Sequence, residues 1–183
     1  MGPAFYKNLL SLMQSIDDCI EKKRTLPALT LIYTAVDVLA GLDRREDEGT
    51  QAAFRRWVDN YMVAGLPCNS LDLYGARCAI LHAFTAEADI HTRTPARQIY
   101  YAWGTGNAER LQETLRRTGS KDAIVLHLSV IRNAFVDGVA RFEEELVANP
   151  ETYEDASLRA SLWFTDLEAN VVDLFLGDGE AEI

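Results

Sequence analysis

Closely spaced cysteines are missing from this chain. Its three thiols, Cys19, Cys68 and Cys78, lie far apart and none stands at C-x-x-C spacing. That excludes a zinc knuckle or a dithiol redox motif. An odd thiol count with no secretory leader fits a reducing, cytoplasmic setting, with the cysteines serving as small core residues. The segment MGPAFYKNLL lacks a basic region followed by a long apolar stretch. No apolar run reaches the roughly eighteen residues of a membrane helix, so no membrane partner is expected. A G-x-x-x-x-G-K-[ST] loop is absent too, and Gly104-Thr105-Gly106 is too short to cradle a phosphate. No nucleophile elbow, carboxylate pair of defined spacing, metal-ligand cluster, internal repeat or linker is visible, and neither a metal nor a cofactor is implied.

Basic charge is scarce overall but unevenly placed. The 183 residues carry a formal net charge of −10, which argues against binding long duplex nucleic acid by bulk charge. Residues 90–121, however, carry six basic and two acidic side chains. Because salt screens charges beyond about 8 Å, that segment can still hold a phosphate. His91, Arg93 and Arg97 in HTRTPARQ are its candidate substrate-binding residues, and Tyr100, Tyr101 and Trp103 are either core aromatics or base-stacking platforms.

What is present is helical periodicity. Phe5, Leu9, Leu12, Ile16 and Ile20 predict a helix over 5–23. LPALTLIYTAVDVLAG, residues 26–41, is apolar nearly all round and should sit at the centre of a core. Further helices are expected over 51–63, 71–84, 107–117, 131–147 and 153–175. RQIYYAW (97–103) and IVLHLSV (124–130) have strand-like composition. They form either a short two-stranded hairpin beside the bundle, or the second run opens the next helix. The expected architecture is one all-α helical-bundle domain over residues 1–176, with an acidic tail at 177–183.

One helix carries an oddity. LDLYGARCAILHAF, residues 71–84, has ten apolar or aromatic residues in fourteen, yet includes Asp72, Arg77 and His82. A buried arginine without partners is expensive, so Arg77 must either reach a groove or be held by an acid. Arginine matches phosphate geometry with paired donors, and histidine exchanges protons near neutral pH. Five residues advance about 140° around a helix, so the two side chains do not share a face. The expectation is that they meet across a two-fold axis between two copies of the chain. Asp72 could pair with either of them, and Tyr74, one turn before Arg77, could orient it.

Arg77-Cys78-Ala79-Ile80-Leu81-His82 resembles the R-x4–6-H motif of HEPN domains. These are small, often dimeric helical bundles, many of them metal-independent ribonucleases of toxin–antitoxin and defence systems. The resemblance implies a homodimer acting on RNA, with an antitoxin protein as a further partner. His82 would move the proton of a 2′-hydroxyl or of the leaving 5′-oxygen. Arg77 would stabilise charge on the phosphate, giving a 2′,3′-cyclic phosphate and a 5′-hydroxyl end. Asp72, Tyr74 and Cys78 would support them. The chain departs from the pattern at Cys78, where such ribonucleases commonly carry an amide, because a thiol is a weak donor. The alternative is a non-catalytic helical dimer that binds a nucleotide or a protein partner.

Overall fold

The computed structural model describes residues 2–83, 94–120 and 122–162, with Val172. Helix α1 (Pro3–Glu21) and α2 (Thr25–Leu42) form an antiparallel pair joined by a tight turn. There the Arg24 N–H reaches back to the Cys19 carbonyl at 2.7 Å. Helix α3 (Thr50–Trp57) widens without a break into a π-turn at Val58–Met62. Helix α4 (Ser70–Ala83), strand β1 (Ile99–Ala102), α5 (Ala108–Arg117), β2 (Ile124–His127), α6 (Leu128–Ala148) and α7 (Pro150–Ala160) complete the order.

The chain's most apolar helix lies at the centre, as its all-round pattern predicts. Helix α2 packs against α1, α3, α4, α6 and α7, and buries Ile32, Tyr33, Val36 and Leu39. It has the length and composition of a membrane span, yet half of it lies inside the fold. Trp57, Phe54, Phe135 and Phe142 fill the rest of the core. Gly138 of α6 is required by this packing, since a Cβ there would come within 3.2 Å of the Trp57 ring and the Tyr61 carbonyl.

The two strand-like runs do pair, but not as a hairpin. β1 and β2 are parallel, with Ile99 opposite Ile124 and Ala102 opposite His127. The reason is the intervening helix. α5 carries the chain back to the start of β1, as parallel pairing requires. Gln112 docks α5 on β2, donating to the Ala123 carbonyl at 2.8 Å and accepting from the Val125 N–H at 2.7 Å. The second run then opens α6 directly at Leu128. At the far end, α7 gives way to a turn at Ser161 and Leu162. The remainder of the helix expected over 153–175, Val172 apart, and the acidic tail lie outside the described residues.

Candidate functional site

Helix α4 begins with a reciprocal cap. The Asp72 backbone N–H donates to the Asn69 side-chain oxygen, and the Asp72 carboxylate accepts the Asn69 N–H, both at 3.0 Å. This is a capping box, which satisfies two otherwise orphaned donors. The same buried carboxylate accepts the Arg97 backbone N–H at 2.7 Å and its guanidinium at 2.7 and 3.2 Å. Asp72 therefore faces neither Arg77 nor His82, contrary to expectation. It stands in the first turn of the helix, and its reach goes to the segment entering β1. Arg97 is corrected with it: its charge is tied to Asp72 instead of standing free as a basic lip. His91 and Arg93 lie outside the described residues.

One and a half turns on, Arg77 is held from a different element. Its Nε and Nη2 donate to Oδ2 of Asp37, on α2, at 2.8 and 2.7 Å. Its Nη1 lies 2.9 Å from Nε2 of His82. The Arg77 Cζ also stands 5.9 Å from the centre of the Tyr74 ring, within cation–π range. That ring in turn meets Phe54 edge-on at 5.5 Å. Cys78 hydrogen-bonds with both Arg77 and Tyr74. Burial and the neighbouring Cys78 raise the Tyr74 phenol above its ordinary pKa. Burial works most strongly against the Arg77 charge, but the hydrogen bond and charge of Asp37, with Cys78, together outweigh it and raise the guanidinium pKa.

The contact between Arg77 and His82 thus forms within one chain. The expectation that it needs a second copy is corrected by the length of the arginine side chain, which crosses the angular gap that the two Cβ atoms leave. Guanidinium only donates, so Nε2 of His82 must be the lone-pair nitrogen and the ring is neutral in this contact. His82 is exposed, whereas Arg77 and Asp37 keep 15% and 18% of their side chains in contact with solvent. Asp37 Oδ1 is buried without a hydrogen-bond partner.

Asp37 is the residue that sequence reasoning missed. A signal existed: it is the one charged side chain in LPALTLIYTAVDVLAG. Of the aromatic candidates, Tyr101 bonds its hydroxyl to that of Tyr33 in the core, Tyr100 is half-buried, and Trp103 is exposed. His127 ends β2 and caps α6, its Nδ1 accepting the Ser129 N–H. Among the described residues, no group of three or more His, Cys, Asp or Glu is placed to hold a metal ion.

Compared with family models, with curated proteins and with solved structures, the chain matches none.

Proposed function

We propose that this protein is a metal-independent endoribonuclease of HEPN type, acting as a homodimer in a toxin or defence system, with an antitoxin protein as a further partner. The carrying observation is the Arg77 guanidinium clamped by Asp37 and touching Nε2 of an exposed His82 at 2.9 Å. Once a phosphate draws the Arg77 donor onto its own oxygens, the Nε2 lone pair of the neutral imidazole is released to remove a proton beside it. In the reaction, the 2′-oxygen of RNA attacks phosphorus as His82 takes its proton. The bond to the 5′-oxygen breaks, and that oxygen takes up a proton. Arg77 stabilises the charge gathering on the phosphate. In a dimer, the second copy's His82 supplies the second proton-transfer group.

A specific observation favours a second reading. Asp37 answers the Arg77 charge and Asp72 that of Arg97, so among the described residues little unpaired basic charge remains beside His82. That arrangement suits a dimer that binds a nucleotide or a protein partner without turnover.

The deciding experiment incubates the purified protein with labelled RNA in EDTA, beside His82→Ala. Cleavage by the wild type alone, leaving cyclic phosphate ends, supports the ribonuclease. Absence of cleavage across several RNAs supports the binding reading.

A further inference from the structure

A second set of groups gathers at the turn that follows β1. Trp103 keeps 46% of its surface exposed, unusual for so large an aromatic, yet it is not loosely held. The turn is closed by the Gly106 N–H on the Trp103 carbonyl at 3.0 Å, and Gly104 supplies the positive φ of +61° that it needs. His127 pins the same turn. Its Nε2–H donates to the Gly104 carbonyl at 3.1 Å, and its Nδ1 lies 2.7 Å from the Ser129 hydroxyl. The backbone that carries it is fixed, and a solvent-facing indole is a stacking platform because each base offers a π-face.

The charge beside it is of the matching sign. Lys23 lines the same cavity as Trp103, of about 260 Å³, together with Glu21 and Thr25. Lys22, Lys23 and Arg24 follow one another at the α1–α2 turn, all exposed. Lys22 is paired with Asp18, while Lys23 and Arg24 have no ion-pair partner among the described residues. Lys23 holds φ +58°, a conformation that favours glycine.

Thr25 also belongs to a neighbouring apolar cavity, lined by Ala76, Ala79 and Ile80 of α4 and by Tyr100. Ala79 stands three residues before His82, on the same side of the helix. The two cavities share Thr25, so the second lies between the first and the α4 face that bears Ala79.

We propose that Trp103, with Lys23 and Arg24, is a stacking subsite for one nucleotide of single-stranded RNA, from which the strand runs past Thr25 along α4 toward His82. The direction of the strand rests on the ribonuclease reading; the subsite itself rests on the turn and its cations.

The test is fluorescence anisotropy of the full chain with a labelled oligouridine of about ten nucleotides, in EDTA, across a salt series. Trp103→Ala is expected to weaken binding about ten-fold, and Trp103→Phe to retain most of it. Lys23→Gln and Arg24→Gln should each lower the salt slope by about one. All three positions are on the surface, and circular dichroism checks that the fold is kept. Wild-type affinity in Trp103→Ala, equal affinity for duplex RNA, or no binding by the wild type overturns the subsite. Trp103-dependent binding without cleavage sinks the ribonuclease reading and leaves the subsite standing. Cleavage that is indifferent to Trp103 does the reverse.

Discussion

Helix α4 carries two aspartate–arginine pairs five residues apart, and they are built for different ends. In the first, Asp72 is fully buried, and its oxygens are met by two backbone N–H groups and by Arg97. In the second, Arg77 is met on one side by Asp37, while its other edge touches an exposed histidine. The first pair closes the structure, fixing the start of α4 to the segment that enters β1. The second leaves an imidazole ring and part of a guanidinium within reach of solvent. A charged pair on an apolar helix is thus no sign of chemistry in itself; what matters is which atoms the fold leaves unoccupied.

The largest expected effect breaks the closed pair. Asp72→Ala removes the acceptor of two backbone donors and uncovers Arg97, so it should cost about 3 kcal/mol of stability. Chemical denaturation would measure it. A loss below about 1 kcal/mol would mean that Asp72 is not the fastener described. Arg77→Ala should cost less, about 1–2 kcal/mol, because Arg77 meets a single carboxylate oxygen and an exposed histidine and carries no helix cap. The residual cost comes from leaving Asp37 half-buried and unpaired. Asp37→Asn combined with Arg77→Ala should therefore be more stable than Arg77→Ala alone, which a double-mutant cycle reads directly. Strict additivity would show that Asp37 does not hold Arg77.

These two pairs also mark where the sequence was legible. The helices were, because Phe5 to Ile20 and Phe135 to Leu146 repeat at helical spacing and such faces must be buried. The apolar α2 announced its central place for the same reason. The parallel strands were not. Each is four residues long, and the partner of Ile99 lies 25 residues away across a helix, where no local pattern reaches. Arg77 and His82 were legible as oddities on an apolar helix. Their partner was not, because Asp37 is 40 residues distant. Proximity in sequence offers Asp72 to Arg77 or His82, while the capping geometry turns the carboxylate toward Arg97. Lys22, Lys23 and Arg24 passed as a helix end, and gain meaning only beside Trp103.

A third cluster sharpens the contrast through pH. Arg56 joins Asp43 and Glu48, clasping the loop between α2 and α3. The Arg56 hydrogen bonds hold the Glu48 carboxyl at a pKa of about 2, against an ordinary value of 4.5. A depressed folded-state pKa means that the unfolded chain takes up the proton first. The stability from this clasp is present above pH 4.5 and is lost as pH falls toward about 2. Burial pushes Asp43 the other way, above its ordinary value. Glu48→Gln should therefore flatten the acid limb of the stability curve. An unchanged limb would show that the Glu48 charge adds nothing to the loop.

The smallest effect is one of rate, and it probes both pairs with one reagent. The thiolate is the reacting species, so burial and a neighbouring carboxylate both slow a cysteine. Cys68 is 5% exposed, and its pKa is pushed up to about 12, first by burial and then by Asp72. Cys78 is half-buried, next to Arg77 and Tyr74, and Cys19 is likewise half-buried. A small disulfide reagent should therefore label Cys19 and Cys78 while the protein is folded, and Cys68 only as it opens. Asp72→Asn should speed Cys68 labelling by loosening the cap and removing the charge, with little change at Cys78. Arg77→Ala should change the rate at Cys78 and leave Cys68 alone. If both substitutions moved both rates together, the two ends of α4 would open as one unit, and the division between a closing pair and an exposed one would fail.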